Sequence, residues 1–294
     1  MRLVVTGKQG QLVRSLSERG AAQGIDVVAI GRPEVDLIDA GAVAGAVEAA
    51  RGDIVINAAA YTAVDRAESE PDLAMAVNCE GARAVALAAA RLGRPVIQIS
   101  TDYVFDGALD RPYREDDSVN PLGAYGRSKL AGERAVAQAN PRCAIVRTSW
   151  VFSPFGQNFV KTMLRLGETR DEINVVADQW GGPSYGLDLA DALIAMSAAM
   201  HSRPDEAGLA GVFHMSGAGE TNWAELTQAV FDEAAEHGRK PVKVSPIATA
   251  QYPTPAARPA NTRLDTSKLA RQFGLALPDW RSSVADCVRR LLHQ

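Results

Sequence analysis

Cysteine is scarce. Cys79, Cys143 and Cys287 lie far apart in 294 residues, with no CxxC. That spacing excludes a disulfide framework and a cysteine-rich zinc site, and it suits a reducing compartment. The four histidines are not paired at metal-ligand spacing, so no metal site is expected. Positive charge is not in excess: the formal charge is -4 and the sequence pI ≈ 5.7. A general phosphate-binding surface and a nucleic-acid partner are therefore not expected. No uninterrupted apolar run approaches the ~18 residues of a membrane span. The short apolar run Leu3-Val4-Val5 ends at Gly7, too soon for a signal segment. These absences lead to the expectation of a soluble, cytoplasmic protein with no membrane partner.

The chain is 47% hydrophobic, ample for a sizeable core in one large or two small domains. In the first half, short apolar runs alternate with helical patterns. Leu3–Thr6, Val27–Ile30, Asp53–Asn57, Pro95–Ser100 and Cys143–Thr148 read as strands covered on both faces. Helices are expected near 10–22, 40–51, 71–93 and 125–139. The alternation predicts an α/β fold with a doubly wound parallel sheet. After Ser149 the rhythm weakens. Helices are expected near 156–168, 188–201, 221–238, 266–273 and 280–292, with strands near 173–177 and 211–215. Pro253, Pro255 and Pro259 mark an irregular stretch, 246–264, of the kind that forms a binding loop.

Five segments carry chemistry. The first is Gly7-Lys8-Gln9-Gly10-Gln11-Leu12, directly after the first strand. Glycines there let the backbone turn and approach a pyrophosphate, and the following helix offers free N–H groups. The G-x-x-G spacing lacks the third glycine of the common dinucleotide fingerprint. The second is Arg32 after strand two, with Glu34 the nearest carboxylate. An arginine there can hold a 2′-phosphate, which favours NADPH, with NADH as the alternative; a solvated surface arginine is the other reading. The third is Asn57-Ala58-Ala59-Ala60-Tyr61-Thr62, whose small side chains let a flat cofactor lie at a strand's end. The fourth is Tyr125 with Lys129, four apart and so on one helix face. A fixed ammonium there is expected to lower the phenol's pKa and let it exchange protons near neutrality. The fifth is Ser100-Thr101-Asp102-Tyr103, whose hydroxyls can bind a substrate carbonyl or simply cap a turn.

Together these segments resemble the extended short-chain dehydrogenase/reductase superfamily, and within it the dTDP-4-dehydrorhamnose reductase family. The resemblance rests on Gly7–Gln11, Asn57–Asp65, Ser100–Phe105, Tyr125–Glu133, Arg147–Trp150, Asn158–Leu164 and Arg258–Asp265. It implies a Rossmann-type domain over 1–150 and a smaller α/β substrate-binding domain over 151–294, part of which returns to the first core. It implies reduction of the C4 ketone of a dTDP-4-dehydro-sugar by NADPH or NADH. Tyr125 would give the proton, Lys129 would hold the nicotinamide ribose, and Thr101 would bind the ketone oxygen. Asp102, Trp150, Asn158 and Arg258 would line the sugar nucleotide. Gly7, Gln9, Gly10, Gln11, Leu12, Arg32, Asp36, Leu37, Ala58, Ala59, Ala60, Tyr61 and Thr62 would line the cofactor, with Tyr125 and Lys129.

Two alternatives remain beside this reading: another nucleotide-sugar reductase or epimerase of the superfamily, and a non-catalytic regulatory relative. The family's magnesium-bridged dimer is not expected. Arg14, Arg289 and Arg290 stand on the helices that would supply its carboxylates, and they would repel a divalent cation. A monomer or weak homodimer is expected instead.

Overall fold

The computed structural model describes residues 1–293. Six strands form one parallel sheet: β1 (Arg2–Thr6), β2 (Asp26–Ile30), β3 (Ile54–Asn57), β4 (Val96–Thr101), β5 (Cys143–Thr148) and, far along the chain, β10 (Gly211–His214). Their order is β2-β1-β3-β4-β5-β10. The chain runs outward from β1 to β2, then crosses back to pair β3 with β1. This reversal opens a crevice beyond the carboxyl ends of β1 and β3, where doubly wound sheets bind ligands.

Helices cover both faces. On one lie α1 (Gln11–Ala22) and α8 (Gly186–Ser202), burying Val13, Leu16, Leu189 and Leu193 against Leu3, Ile54 and Ile97. On the other lie α2 (Ala40–Ala50), α5 (Ala82–Arg91) and α6 (Ala124–Ala139), burying Val43, Val85 and Val136 against Val4, Val55 and Val96. Between β3 and α5 come the short helices α3 (Val64–Ala67) and α4 (Pro71–Met75).

A second apolar cluster joins Phe152, Val160, Ile173, Phe231, Trp280 and Val284. It is built from α7 (Phe159–Gly167), α9 (Trp223–Glu236), α11 (Trp280–Leu292) and the two-stranded parallel ladder of β7 (Glu172–Val176) with β12 (Lys243–Ile247). Residues from α8, β10 and α10 (Ser267–Phe273) pack instead into the first cluster. Two-residue ladders, β6 (Val151–Phe152) with β9 (Ser184–Tyr185) and β8 (Trp180–Gly181) with β11 (Thr221–Asn222), stitch the intervening loops.

Three expectations are corrected. The stretch expected to be irregular from 246 begins inside β12, where Pro246 pairs with Val175 on the ladder's edge, a place that tolerates proline. The helix expected over 71–93 is α4 and α5 joined by a π-helical turn, Ala76–Gly81. That run, Pro71–Arg91, is also long and apolar enough by length and composition to cross a membrane. Asp72, Glu80 and Arg83 interrupt it in sequence, and half of it is buried inside the protein, as in a core helix.

Candidate active site

β1 delivers Gly7 at φ +95°, a conformation that favours glycine, and its N–H donates to Ile30 O at 2.6 Å. Beside it Gly31 passes so close that a Cβ would lie 2.9 Å from the Gly7 Cα. Gly31 thus supplies the close approach that the missing third glycine would otherwise provide. α1 begins at Gln11 without a side-chain cap and without an acidic residue in its first turn. Its first N–H groups and positive dipole end are free to meet a pyrophosphate.

A cavity of about 810 Å³ opens here. It is lined by Gly7, Gln9, Gly10, Gln11, Leu12, Ala58, Ala59, Ala60 and Thr62 from the cofactor set, and by Thr101, Asp102, Tyr125, Lys129, Trp150 and Asn158. An adjoining groove of about 450 Å³ shares Gly7, Gln9, Ala59 and Ala60, and extends past Arg32, Asp36, Leu37 and Tyr61. Of the residues expected at the site, Arg258 alone lines neither.

The groove's cations are already paired. Arg32 donates from Nε to Asp36 at 2.9 Å, Lys8 pairs with Glu34, and Arg66 with Glu70. Glu70 also accepts the Tyr61 hydroxyl at 2.6 Å. The arginine beside Asp36 holds that carboxyl below its ordinary range.

The deep end differs. The Thr101 hydroxyl donates to Asp102 Oδ1 at 2.8 Å, while Asp102 Oδ2 is buried with no partner. Burial pushes the Asp102 carboxyl up to about 7. The Lys129 ammonium donates to Ile99 O at 2.7 Å, and burial brings it down to about 8. Tyr125 reverses the expectation from its lysine neighbour: its pKa is raised, first by burial and then by the Asp102 charge, with Thr101 opposing. Lys129 is turned to a backbone carbonyl and does not hold the phenolate here. The phenol therefore keeps its proton at neutral pH, which suits an acid more than a base.

Trp150 sits at the end of β5 with φ +47°. Its indole stacks on Trp223 at 3.6 Å between ring centroids, and Gly181 leaves the space it fills, since a Cβ there would lie 2.5 Å from the ring. The Gln11 side chain accepts from Ser153 Oγ at 2.9 Å and Asn158 Nδ2 at 3.0 Å, tying the glycine-rich turn to the 151–158 segment. Asn158 also donates to Ser153 O and caps α7 through Lys161 N, so most of its hydrogen-bonding capacity is spent. Arg258 grips both Asp65 oxygens at 2.9 Å through Nη2, leaving a buried Nη1 without a partner.

Sequence reasoning passed over Asn78 and Trp223. Asn78, on the π turn, accepts from Tyr61 N at 2.8 Å and donates to Tyr61 O and Ser128 Oγ, clamping the cavity wall to α6. Its signal in sequence was a lone amide in an alanine-rich helix. Trp223 gave none, because an aromatic at a helix start reads as core. Among the described residues no group of three or more His, Cys, Asp or Glu could hold a metal ion. Arg14 lies over the Phe155 ring, Arg289 meets Glu233, and Arg290 pairs with Glu18.

The family profile described as "RmlD substrate binding domain" matches residues 1–293. A dTDP-4-dehydrorhamnose reductase of Sinorhizobium fredii is 51% identical over 292 residues, 99% of this chain and 98% of the relative. One from Escherichia coli is 41% identical, covering 100% and 98%. The crystal structure of a dTDP-4-dehydrorhamnose reductase from Bacillus anthracis in complex with NADP superposes with a TM-score of 0.91 at 36% identity, covering 98% of this chain and 99% of that one. A structure from Clostridium acetobutylicum gives the same TM-score and identity, covering 99% and 100%. With the fold, the glycine-rich turn and the Tyr125–Lys129 helix in place, these likenesses settle the grouping: the chain belongs to the dTDP-4-dehydrorhamnose reductase family.

Proposed function

We propose that this protein is an NAD(P)H-dependent oxidoreductase that reduces the C4 ketone of dTDP-4-dehydro-L-rhamnose to dTDP-L-rhamnose, with NADPH the preferred donor and NADH the alternative. The observation that carries the reading is the convergence of Thr101, Tyr125 and Lys129 on one cavity continuous with the glycine-rich turn. The free N–H groups of α1 fit a pyrophosphate, and Ala58–Ala60 leave room for a flat ring. A bound nicotinamide would supply the hydride to C4.

The residues do the rest. Tyr125, protonated at neutral pH, gives its proton to the nascent alkoxide. Thr101 turns its hydroxyl from Asp102 to the ketone oxygen. Lys129 sits behind Tyr125 and holds the nicotinamide ribose. The free Oδ2 of Asp102 accepts a sugar hydroxyl, and Trp150, braced by Trp223, presents an apolar face to the sugar. Asn158 shapes the wall through Gln11. Arg32 exchanges Asp36 for a 2′-phosphate, and Arg258 turns its spare Nη1 to the nucleotide.

We divide the chain at about residue 150 into a dinucleotide-binding domain and a mainly substrate-binding one, in keeping with the two apolar clusters. Gln294, which ends the second, lies outside the described residues. A cytoplasmic, monomeric or weakly dimeric protein without structural magnesium completes the reading. A regulatory role would not need Thr101, Tyr125 and Lys129 together. The test monitors loss of reduced nicotinamide with dTDP-4-dehydro-L-rhamnose against UDP- and GDP-4-keto sugars. Consumption with the dTDP compound is expected; none under any condition sinks the proposal.

A further inference from the structure

Behind Lys129 lies a charged network that the reaction does not use directly. Glu133, one turn further along α6, is 4% exposed as a side chain, and Arg147 on β5 is 5% exposed. Arg147 donates to both oxygens of Glu133, at 2.9 Å from Nε and 2.7 Å from Nη2. Ser100 on β4 adds a third bond at 2.5 Å. Ser100 and Arg147 are register partners, and each stands one residue before Thr101 and Thr148. One carboxylate thus joins the helix bearing Tyr125 and Lys129 to the strands leading to Thr101 and Trp150. Burying such a pair is expensive, so its presence beside a third buried charge asks for a reason.

We propose that Glu133, fixed by Arg147 and Ser100, is a positioning residue: its carboxylate keeps the Lys129 ammonium cationic within the buried site. The proposal rests on Lys129 having the role given above. The titratable groups on elements packed against α6 are Asp65 and Arg66 on α3, Asp72 on α4, Cys79 and Glu80 on the π turn, Arg83 and Arg91 on α5, Asp102 and Tyr103 after β4, and Cys143 and Arg147 on β5. Glu68 meets the start of α6, and the helix itself carries Tyr125, Arg127 and Arg134. Of all these and Glu133, only Glu133 acts on the Lys129 charge, opposing the effect of burial. Arg147, held bidentately by Glu133, does not.

The test reads Lys129 directly, by 13Cε NMR titration of lysine-labelled protein without ligands, with Lys129→Met to assign the signal. Wild type should titrate near 8. Glu133→Gln should lower the midpoint by about one pH unit, as removal of a near opposite charge does. The basic limb of the kcat profile should move with it, and Glu133→Asp should restore both. Should Glu133→Gln not fold because Arg147 is left unpaired, Glu133→Gln/Arg147→Met removes both charges and should show the same drop. A Lys129 midpoint unchanged in a folded variant overturns the proposal. Because the midpoint needs neither cofactor nor sugar, a lowered value supports Glu133 even if the enzyme reduces some other substrate.

Discussion

The two ends of the site are built on opposite electrostatic plans. In the outer groove every cation already has a carboxylate: Lys8 with Glu34, Arg32 with Asp36, Arg66 with Glu70. These groups are mostly exposed, so each pair contributes little and can be exchanged for a phosphate at small cost. At the deep end the polar groups are buried and partly unpartnered, as at Asp102 Oδ2 and Thr148 Oγ1, and their proton affinities are displaced. Recognition is placed where water can substitute for the ligand, and chemistry where it cannot.

Substitutions at the two ends should therefore differ in size and kind. Tyr125→Phe removes one hydroxyl from the deep end and little volume. It should cost about 10²–10⁴ in kcat with an unchanged thermal midpoint; near wild-type turnover would remove Tyr125 as the acid. Arg32→Ala acts on the outer groove, where Asp36 already competes for the guanidinium. The KM for NADPH should rise about tenfold while that for NADH stays level; equal changes for both would show that Arg32 does not read the 2′ position.

The smallest effect sharpens the contrast through pH. The folded Asp102 carboxyl, at about 7, lies above its ordinary 3.8. The folded protein thus binds that proton more tightly than the unfolded chain, and stability falls as pH rises from about 4 through 7. Asp102→Asn removes the penalty. Its Tm should exceed wild type at pH 8 by ~2–4 °C for each kcal/mol relieved, with the gain fading by pH 5. A gain equal at both pH values would mean that the carboxylate is not what costs stability there.

The parallel sheet was legible because its strands are short, apolar and separated by helices. All five expected in the first half lie within a residue or so of those observed. The second half was legible only in its helices. Two-residue ladders such as β6 and β8 are too short to show a period, and β12 hides behind Pro246. At the site, residues fixed by local spacing, such as Tyr125 and Lys129, could be named in advance. Partnerships across the fold could not: Trp150 with Trp223, Gln11 with Asn158, and Arg258 with Asp65 are each separated by 70 residues or more. The sign of the Tyr125 shift was missed for a related reason. Helical spacing brings Lys129 near, but burial and Asp102, set by the neighbouring strand end, decide the outcome.

The π turn at Ala76–Gly81 makes the length of its helix matter, and not only its composition. Gly132 of α6 meets it so closely that a Cβ would lie 2.0 Å from Asn78 O. A wider turn of this kind accommodates one residue more than a regular helix would. Deleting a single residue between 76 and 81 would restore ordinary winding and rotate α4 by ~100° relative to α5. Asn78 could not then face both Tyr61 and Ser128 while α4 and α5 kept their packing. Frame-preserving deletions here would leave a soluble-looking alanine helix and an unanchored cofactor wall, a lesion that no comparison of residue types would reveal.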